Sequence, residues 1–263
     1  MRKVGLVVNE AKKDAAEVAA RLAEACRAEG VEAVVMSGAE TGIEALLGVG
    51  GDGTVLSAAA LAVELGLPVA GVNIGRVGYL AEFEVGEVDA LAAALAGNLM
   101  AVVDRMTVEV EHSGRRAMAA NDIVLEKAES ERIIEIEVEI DGHRFARYRA
   151  DGIIVATPVG STAYSLSAGG PVVDPKLEAM VLTPVAPHSL LSRSIVLSAA
   201  TEVHLSVAID RPARVNVDGR EFARVDPGGR VVVRRGPLPV RFLTLGRHPF
   251  PMAVRHQFGL DHA

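Results

Sequence analysis

The hydrophobic pattern changes period near residue 100, and that switch confines the chain to a small set of folds. Before it, apolar runs of strand length alternate with stretches repeating at helical spacing. Lys3 to Asn9 reads as a continuous apolar strand, and Asp14 to Glu29 keeps its apolar residues on one helical face. Val31 to Met36 and Leu46 to Val49 read as strands, Thr54 to Leu65 as a helix, Pro68 to Val72 as a strand and Val88 to Ala96 as a closing helix. Such alternation predicts a parallel sheet covered by helices. After Met100 the period becomes two. Ile134, Ile136, Val138 and Ile140 fall on one face, with Glu135, Glu137 and Glu139 on the other. That is the mark of a half-buried strand. Thr107 to Glu111, Ile153 to Ala156, Ser194 to Ser198, Glu202 to Ala208, Arg214 to Val217 and Arg230 to Arg234 are further strands. Asp141-Gly142, Asp218-Gly219 and Pro227-Gly228-Gly229 punctuate them as turns. The expected fold class is α/β + all-β. An N-terminal α/β domain with a parallel sheet spans 1–100, an antiparallel β-sandwich spans 101–240, and a tail, 241–263, packs back on the α/β domain. No repeat or low-complexity linker divides the halves, so they are expected to share an interface, a common location for ligands.

Residues 48–54 read GVGGDGT, with four glycines around Asp52 directly after Ala45-Leu46-Leu47. Glycine permits tight bends and close approach of backbone to a ligand. Gly48-x-Gly50-x-x-Gly53 formally matches the dinucleotide fingerprint. However, a Rossmann unit carries an acid about 20 residues on, and here that neighbourhood holds Asn73. Asp52 would also face the pyrophosphate, and no Gly-Lys-Ser/Thr follows to make a Walker loop. One alternative is a tight turn whose aspartate caps the helix starting near Thr54. The other is phosphoryl transfer, where a carboxylate beside phosphates serves as base for an acceptor hydroxyl or as a magnesium ligand. The amides of Gly50 to Gly53 and the following helix N-terminus would then hold the phosphates.

The second half supplies matching chemistry. "RADGIIVATPVGSTAYSLSAGGP", Arg149 to Pro171, begins at an Asp-Gly pair, crosses a strand and enters a Gly-Ser-Thr turn beside Tyr164. Small hydroxyl residues there suit ribose or phosphate, and Tyr164 offers a stacking face or, alternatively, packs in the sandwich core. Asn121-Asp122 places an amide and a carboxylate before an apolar strand, suited to ribose hydroxyls; the plainer reading is a strand-edge turn. No Gly-x-Ser-x-Gly elbow supports a hydrolase, and the histidines show no zinc spacing.

Composition narrows the partners. The net charge is −7 and aromatics are only 3% of 263 residues, which disfavours nucleic acid. No apolar run reaches the ~18 residues of a membrane span. With Cys26 as the sole cysteine, no intrachain disulfide is possible and a reducing, cytoplasmic setting is expected. Cys26 is in phase with Val18 and Leu22, as a buried core thiol would be.

Together, Gly50-Gly51-Asp52-Gly53-Thr54, "NIGRVGYLAEF" (Asn73 to Phe83), Asn121-Asp122, "TPVGSTAYSLSAGGP" and "PVAPHSLLSR" (Pro184 to Arg193) resemble the NAD kinase family over nearly the whole chain. The GGDG element alone is shared with lipid kinases and phosphofructokinase-like proteins; the ordered set is specific. The resemblance implies an N-terminal α/β domain, a C-terminal β-sandwich, and phosphorylation of the adenosine-ribose 2′-hydroxyl of NAD by ATP with a divalent metal, Mg by expectation. It gives Asp52 the base role and Gly53 a dinucleotide contact, with Gly50, Gly51 and Thr54 completing the phosphate loop. Asn121 and Asp122 become ribose- and phosphate-side contacts. Arg132, Arg149, Asp151, Val159, Thr162, Ala163, Tyr164, Ser165, Leu166, Ser167 and Ala186 are placed around the dinucleotide. A homodimer or homotetramer is implied as well. Two departures stand out: many relatives have Asn-Glu at Asn121-Asp122, and Asp-Gly-Gln where this chain has Asp218-Gly219-Arg220-Glu221, so Glu221 is carried over on a weaker match. The rival functions are a lipid kinase, which would expose an apolar or basic membrane-facing patch, and a non-catalytic dinucleotide-binding regulator, which would not need Asp52.

Overall fold

A computed structural model describes residues 1–9, 14–75, 78–129, 132–188, 191–208, 211–247 and 249–260. The chain divides into two compact units, one of Met1–Asp104 with Val240–Ala263 and one of Arg105–Pro239.

The first unit starts with β1 (Lys3–Val8), α1 (Ala15–Ala28), β2 (Glu32–Val35), β3 (Ala45–Gly50), α2 (Asp52–Leu65), β4 (Val69–Asn73), the short β5 (Phe83–Glu84), α3 (Val88–Ala96) and β6 (Ala101–Arg105). Helix α1 forms because Ala15, Val18, Ala19, Leu22 and Cys26 make one buried stripe; each large side chain so buried contributes about 1.5–3 kcal/mol. It stops at Gly30, whose φ of +78° lets Val31 N–H reach the Cys26 carbonyl at 2.8 Å. Strands β2, β1, β3 and β4 lie side by side in parallel. Helix α2 packs so closely on β3 and β4 that a Cβ at Gly48 would come within 2.9 Å of Val55 Cα, and one at Gly71 within 2.7 Å of Val55 Cγ2. The first glycine of the apparent fingerprint therefore serves helix–sheet packing.

The second unit contains β7 (Val108–His112), β8 (Arg115–Ala119), β9 (Asp122–Lys127), β10 (Ile134–Ile140), β11 (His143–Ala150), β12 (Gly152–Ala156), α4 (Tyr164–Ser167), β13 (Ala179–Val185), β14 (Ile195–Ser198), β15 (Val203–Val207), β16 (Ala213–Val217), β17 (Arg220–Val225) and β18 (Arg230–Arg235). Among the described residues these make two antiparallel six-stranded sheets, ordered β11-β10-β15-β18-β7-β8 and β14-β13-β12-β9-β16-β17. Ile136, Val138 and Tyr148 from one sheet and Ile123, Leu125, Ile153 and Val155 from the other fill a single core. This is the β-sandwich that the period of two anticipates. Asp141-Gly142 and Asp218-Gly219 both have positive φ, 49° and 77°, then 47° and 76°, as two-residue hairpin turns require.

The chain then returns to the first unit as β19 (Val240–Thr244) and α5 (Phe250–Gln257). Strand β19 pairs in parallel with β4 and lies between it and β6. The tail thus contributes a strand to the sheet itself. Among the described residues, no helix is long and apolar enough to cross a membrane.

Candidate functional site

The glycine loop lies where β3 passes into α2, in the first unit. Gly51 is the N-cap of α2 and no side chain caps that end. Asp52 is already the first helical residue, so the sequence reading of Asp52 as a cap, with the helix starting near Thr54, is corrected. Its carboxylate is held elsewhere: Tyr79 N–H donates to Oδ2 at 3.0 Å and Leu80 N–H to Oδ1 at 3.3 Å. Gly50 carries no Cβ because one would come within 2.7 Å of Thr54 Cβ, and Thr54 is buried. Gly53 differs. It is exposed, and a Cβ there would meet nothing within 4 Å. The first-turn amides of a helix point outward along its axis without intrahelical partners, so a ligand can approach the backbone at Gly53. Beside this loop, the Tyr79 hydroxyl is buried without a hydrogen-bond partner among the described residues. Burial, and secondarily the charge of Asp52, raise its pKa above the ordinary value.

In the second unit, Asn121 lies in the bend just before β9 and Asp122 opens that strand, which is central and flanked by β12 and β16. Three consecutive amides, of Ala120, Asn121 and Asp122, donate to the Asp218 carboxylate at 2.8, 2.8 and 3.1 Å, and Asp218 N–H returns a bond to the Asp122 carbonyl at 3.0 Å. Thr157 Oγ1 donates to the Ala120 carbonyl at 2.6 Å, and Thr157 N–H to that of Asn121 at 2.8 Å. Gly160 presses against the same peptide; a Cβ there would fall within 2.6 Å of Asn121 Cα. The pair is held through its backbone and nearly buried, Asn121 being 9% and Asp122 5% exposed. Asn121 Oδ1 has no partner among the described residues. Burial first, and then the charge of Asp218, push the Asp122 carboxyl up to about 7. Asp218 itself is raised by burial, against the pull of its three amides and of Arg220.

Tyr164 starts α4 and is 42% exposed, which overturns the alternative that it packs in the sandwich core. Burial of its hydroxyl raises its pKa, as do Glu126, Asp151 and Asp122 in turn, with Lys127 opposing. These groups therefore share a neighbourhood with the ring. Lys127 Nζ pairs with Asp151 Oδ1 at 2.6 Å, and Glu126 Oε1 accepts from Arg214 and Asn216 at 2.8 and 2.7 Å. Val159, Thr162, Ala163 and Leu166 are partly buried and Ser167 is exposed. Ser165 is fully buried, with its hydroxyl bonded to Thr183, whose own hydroxyl donates to Ser194. The Ser165 hydroxyl is thus engaged inside the segment. Ala186 is exposed and has φ +45°, a strained conformation for alanine. Arg132, Arg149 and Glu221 are exposed. Of the motifs above, residues 76–77 and 189–190 lie outside the described residues.

Sequence reasoning missed Asp218, which it took only as a turn residue, and the Gly78-Tyr79-Leu80 turn. The signal for Asp218 was faint: an Asp-Gly hairpin turn needs no buried carboxylate, and its partner amides are about a hundred residues away.

The chain matches two family models, the ATP-NAD kinase N-terminal domain over residues 32–99 and the ATP-NAD kinase C-terminal domain over 120–245. It is 40% identical to NAD kinase 2 of Streptomyces avermitilis, over 84% of this chain and 76% of that protein. It is 35% identical to the NAD kinase of Desulforamulus reducens, over 99% of this chain and the whole of the other. The chain belongs to the NAD kinase family. Membership makes it a kinase. Among solved structures, an NAD kinase from Archaeoglobus fulgidus in complex with ATP superposes with a TM-score of 0.79 at 28% identity, covering 98% of each chain. Yeast NADH kinase complexed with NADH shares the fold, with a TM-score of 0.89 at 21% identity, over 100% of this chain and 89% of that one. The family's two domains correspond to the α/β and sandwich architectures described above.

Proposed function

We propose that this kinase transfers the γ-phosphoryl group of ATP to the 2′-hydroxyl of the adenosine ribose of NAD, giving NADP and ADP. Asp52 accepts the hydroxyl proton as the ribose oxygen bonds to the γ-phosphorus and the bond to ADP breaks. The observation that carries the reading is the Asp52 carboxylate on the first residue of α2, next to Gly53 with open space at its Cβ position. A helix N-terminus beside a glycine suits phosphate, and a carboxylate in the same turn suits the acceptor. In the second unit, Asn121 and Asp122 would hold ribose hydroxyls, and Tyr164, with its exposed ring, would stack on a base. Gly50, Gly51 and Thr54 shape the loop, with Gly50 and Thr54 in mutual contact.

The described residues include no group of three or more His, Cys, Asp or Glu placed to hold an ion by themselves, and magnesium that arrives with a nucleotide needs only one or two protein carboxylates beside the phosphates. The divalent ion, magnesium in this reading, accompanies ATP as counter-ion of its phosphates, and no step here depends on it. The same reading makes the protein a cytoplasmic homodimer or homotetramer. Cys26 as the sole cysteine, free and buried, supports the compartment, and mass measurement in solution would test the assembly.

The purified protein with ATP, magnesium and NAD should form NADP. Asp52→Asn keeps size but removes the proton acceptor, and turnover should fall ~10²–10⁴-fold with the fold intact. A variant keeping most of its turnover would remove Asp52 from the chemistry, and a wild-type protein that binds NAD yet forms no NADP would favour a regulator.

A further inference from the structure

The assignment of Asp52 leaves a physical conflict: its charge lies on the same helical turn that would hold phosphate. The first unit contains the resolution. Gly78, Tyr79 and Leu80 form a turn that faces the carboxylate with two amides in succession, one to each oxygen, at 3.0 and 3.3 Å. Gly78 is in contact with the same group. A Cβ built there would lie 2.5 Å from Oδ2 and closer still to Cγ and Oδ1. Gly78 is not among the positive-φ glycines, so its need for glycine is purely one of space. Any side chain at 78 displaces the Asp52 carboxylate.

The turn is fastened at its far end. It runs into Phe83, fully buried, whose strand β5 pairs with β4 at Val72 and Asn73. Close by, a Cβ on Gly71 would come within 2.9 Å of Ala81 Cα, so the segment lies tight on the sheet. Glu82 accepts from the amides of Leu245 and Arg247 at 2.9 Å each. The segment that carries these amides is therefore packed and hydrogen-bonded at its C-terminal end.

We infer that the Gly78-Tyr79-Leu80 turn is the positioning element for Asp52, setting the carboxylate in its working orientation and drawing its charge toward the turn and away from the helix amides. This rests on the reading of Asp52 as base. Each carboxylate oxygen has two acceptor sites, so one amide on each leaves a lone pair on each for the ribose hydroxyl. The helix N-terminus stays available for phosphate.

Gly78→Ala adds one methyl group at the contact. Turnover should fall about as far as in Asp52→Asn, ~10²–10⁴-fold, with KM for NAD and for ATP changed less than about threefold and the melting midpoint nearly unchanged. The double variant Gly78→Ala with Asp52→Asn should be no slower than Asp52→Asn alone, because both act on one carboxylate. Replacing Tyr79 by its α-hydroxy acid exchanges the N–H donor for an ester oxygen without adding side-chain bulk, so it decides the matter if the alanine variant fails to fold; turnover should fall at least ~10-fold, with KM unchanged. Additive losses in the double variant, or wild-type turnover in the ester variant, would overturn the inference while Asp52 remains the base. Wild-type turnover in Asp52→Asn would instead sink the base reading.

Discussion

Replacing Asp122 by asparagine should stabilise the protein at alkaline pH while weakening its proposed substrate contact. The carboxyl is 5% exposed, and its pKa is raised from 3.8 to about 7, by burial and then by the neighbouring charge of Asp218. An acid raised in this way holds its proton in the folded chain at pH values where the unfolded chain has released it. Its favourable contribution is complete below about pH 4 and is lost as pH rises through about 7. At 1.36 kcal/mol per pH unit, the rise to about 7 corresponds to roughly 4 kcal/mol. The replacement amide cannot ionise, has nearly the same shape as the carboxyl, and leaves the three amides on Asp218 untouched. Wild type and Asp122→Asn should therefore be comparably stable near pH 4 and diverge as pH rises, the variant exceeding wild type by up to about 4 kcal/mol at pH 8. Denaturant unfolding at pH 4, 6 and 8, following the sandwich, reads this difference directly. Comparing the two proteins at each pH cancels the carboxylates whose pKa moves the other way, such as Glu111 and Glu137 beside their arginines. Parallel stability profiles for the two proteins, or a variant less stable at pH 8, would refute the buried-charge argument. NAD affinity should fall in the same variant, since an amide offers one acceptor oxygen to the ribose hydroxyls where the carboxylate offers two.

Asp218→Ala removes the acceptor of three amides at once, each left unpaired at about 1–3 kcal/mol; the sandwich should melt markedly lower and NAD binding should weaken, whereas an unchanged melting point would show the amides finding other acceptors. Tyr164→Ala should cost little stability because the ring is 42% exposed, yet reduce NAD affinity by roughly 1–3 kcal/mol if the ring stacks on a base, with Tyr164→Phe close to wild type in calorimetric titration. Unchanged NAD affinity in the alanine variant would remove Tyr164 from the site. Cys26 is fully buried and its thiol is pushed up to about 11 by burial, so it should resist thiol reagents at pH 8 until denaturant is added; rapid native labelling would contradict its place in the core.

The readable parts of this chain are those whose signal is local. Helices α1 and α3 and strand β10 stand within a residue of their expected limits, because one buried face repeats within a dozen residues or fewer. The Asp141-Gly142 and Asp218-Gly219 turns were legible because two successive positive φ angles select such residues. Strand β13 was not read from the pattern. It is buried on both faces and carries Pro184, so it shows no alternation, and its proline argues against a central strand. Strands β8, β11 and β17 were missed for a different reason. They are sheet edges rich in arginine, which expose charged residues on both sides of the pattern.

By itself the sequence determined the two-part architecture, the glycine loop and its aspartate, and the family, since periodicity and ordered motifs survive without coordinates. Only the tertiary structure decided what each site residue touches. Strand β19 enters the first sheet after more than a hundred residues of sandwich, and no local pattern reports a partner that far along the chain. Gly51 takes the cap position of α2, and the Asp52 carboxylate meets the amides at 79 and 80, where Gly78 leaves room. Asp218 became the anchor of Asn121 and Asp122 because a hairpin turn brings a carboxylate to three amides from the start of the adjoining central strand. Hydrogen bonds and close packing depend on position in space, and folding, by joining segments distant in sequence, is what sets that position.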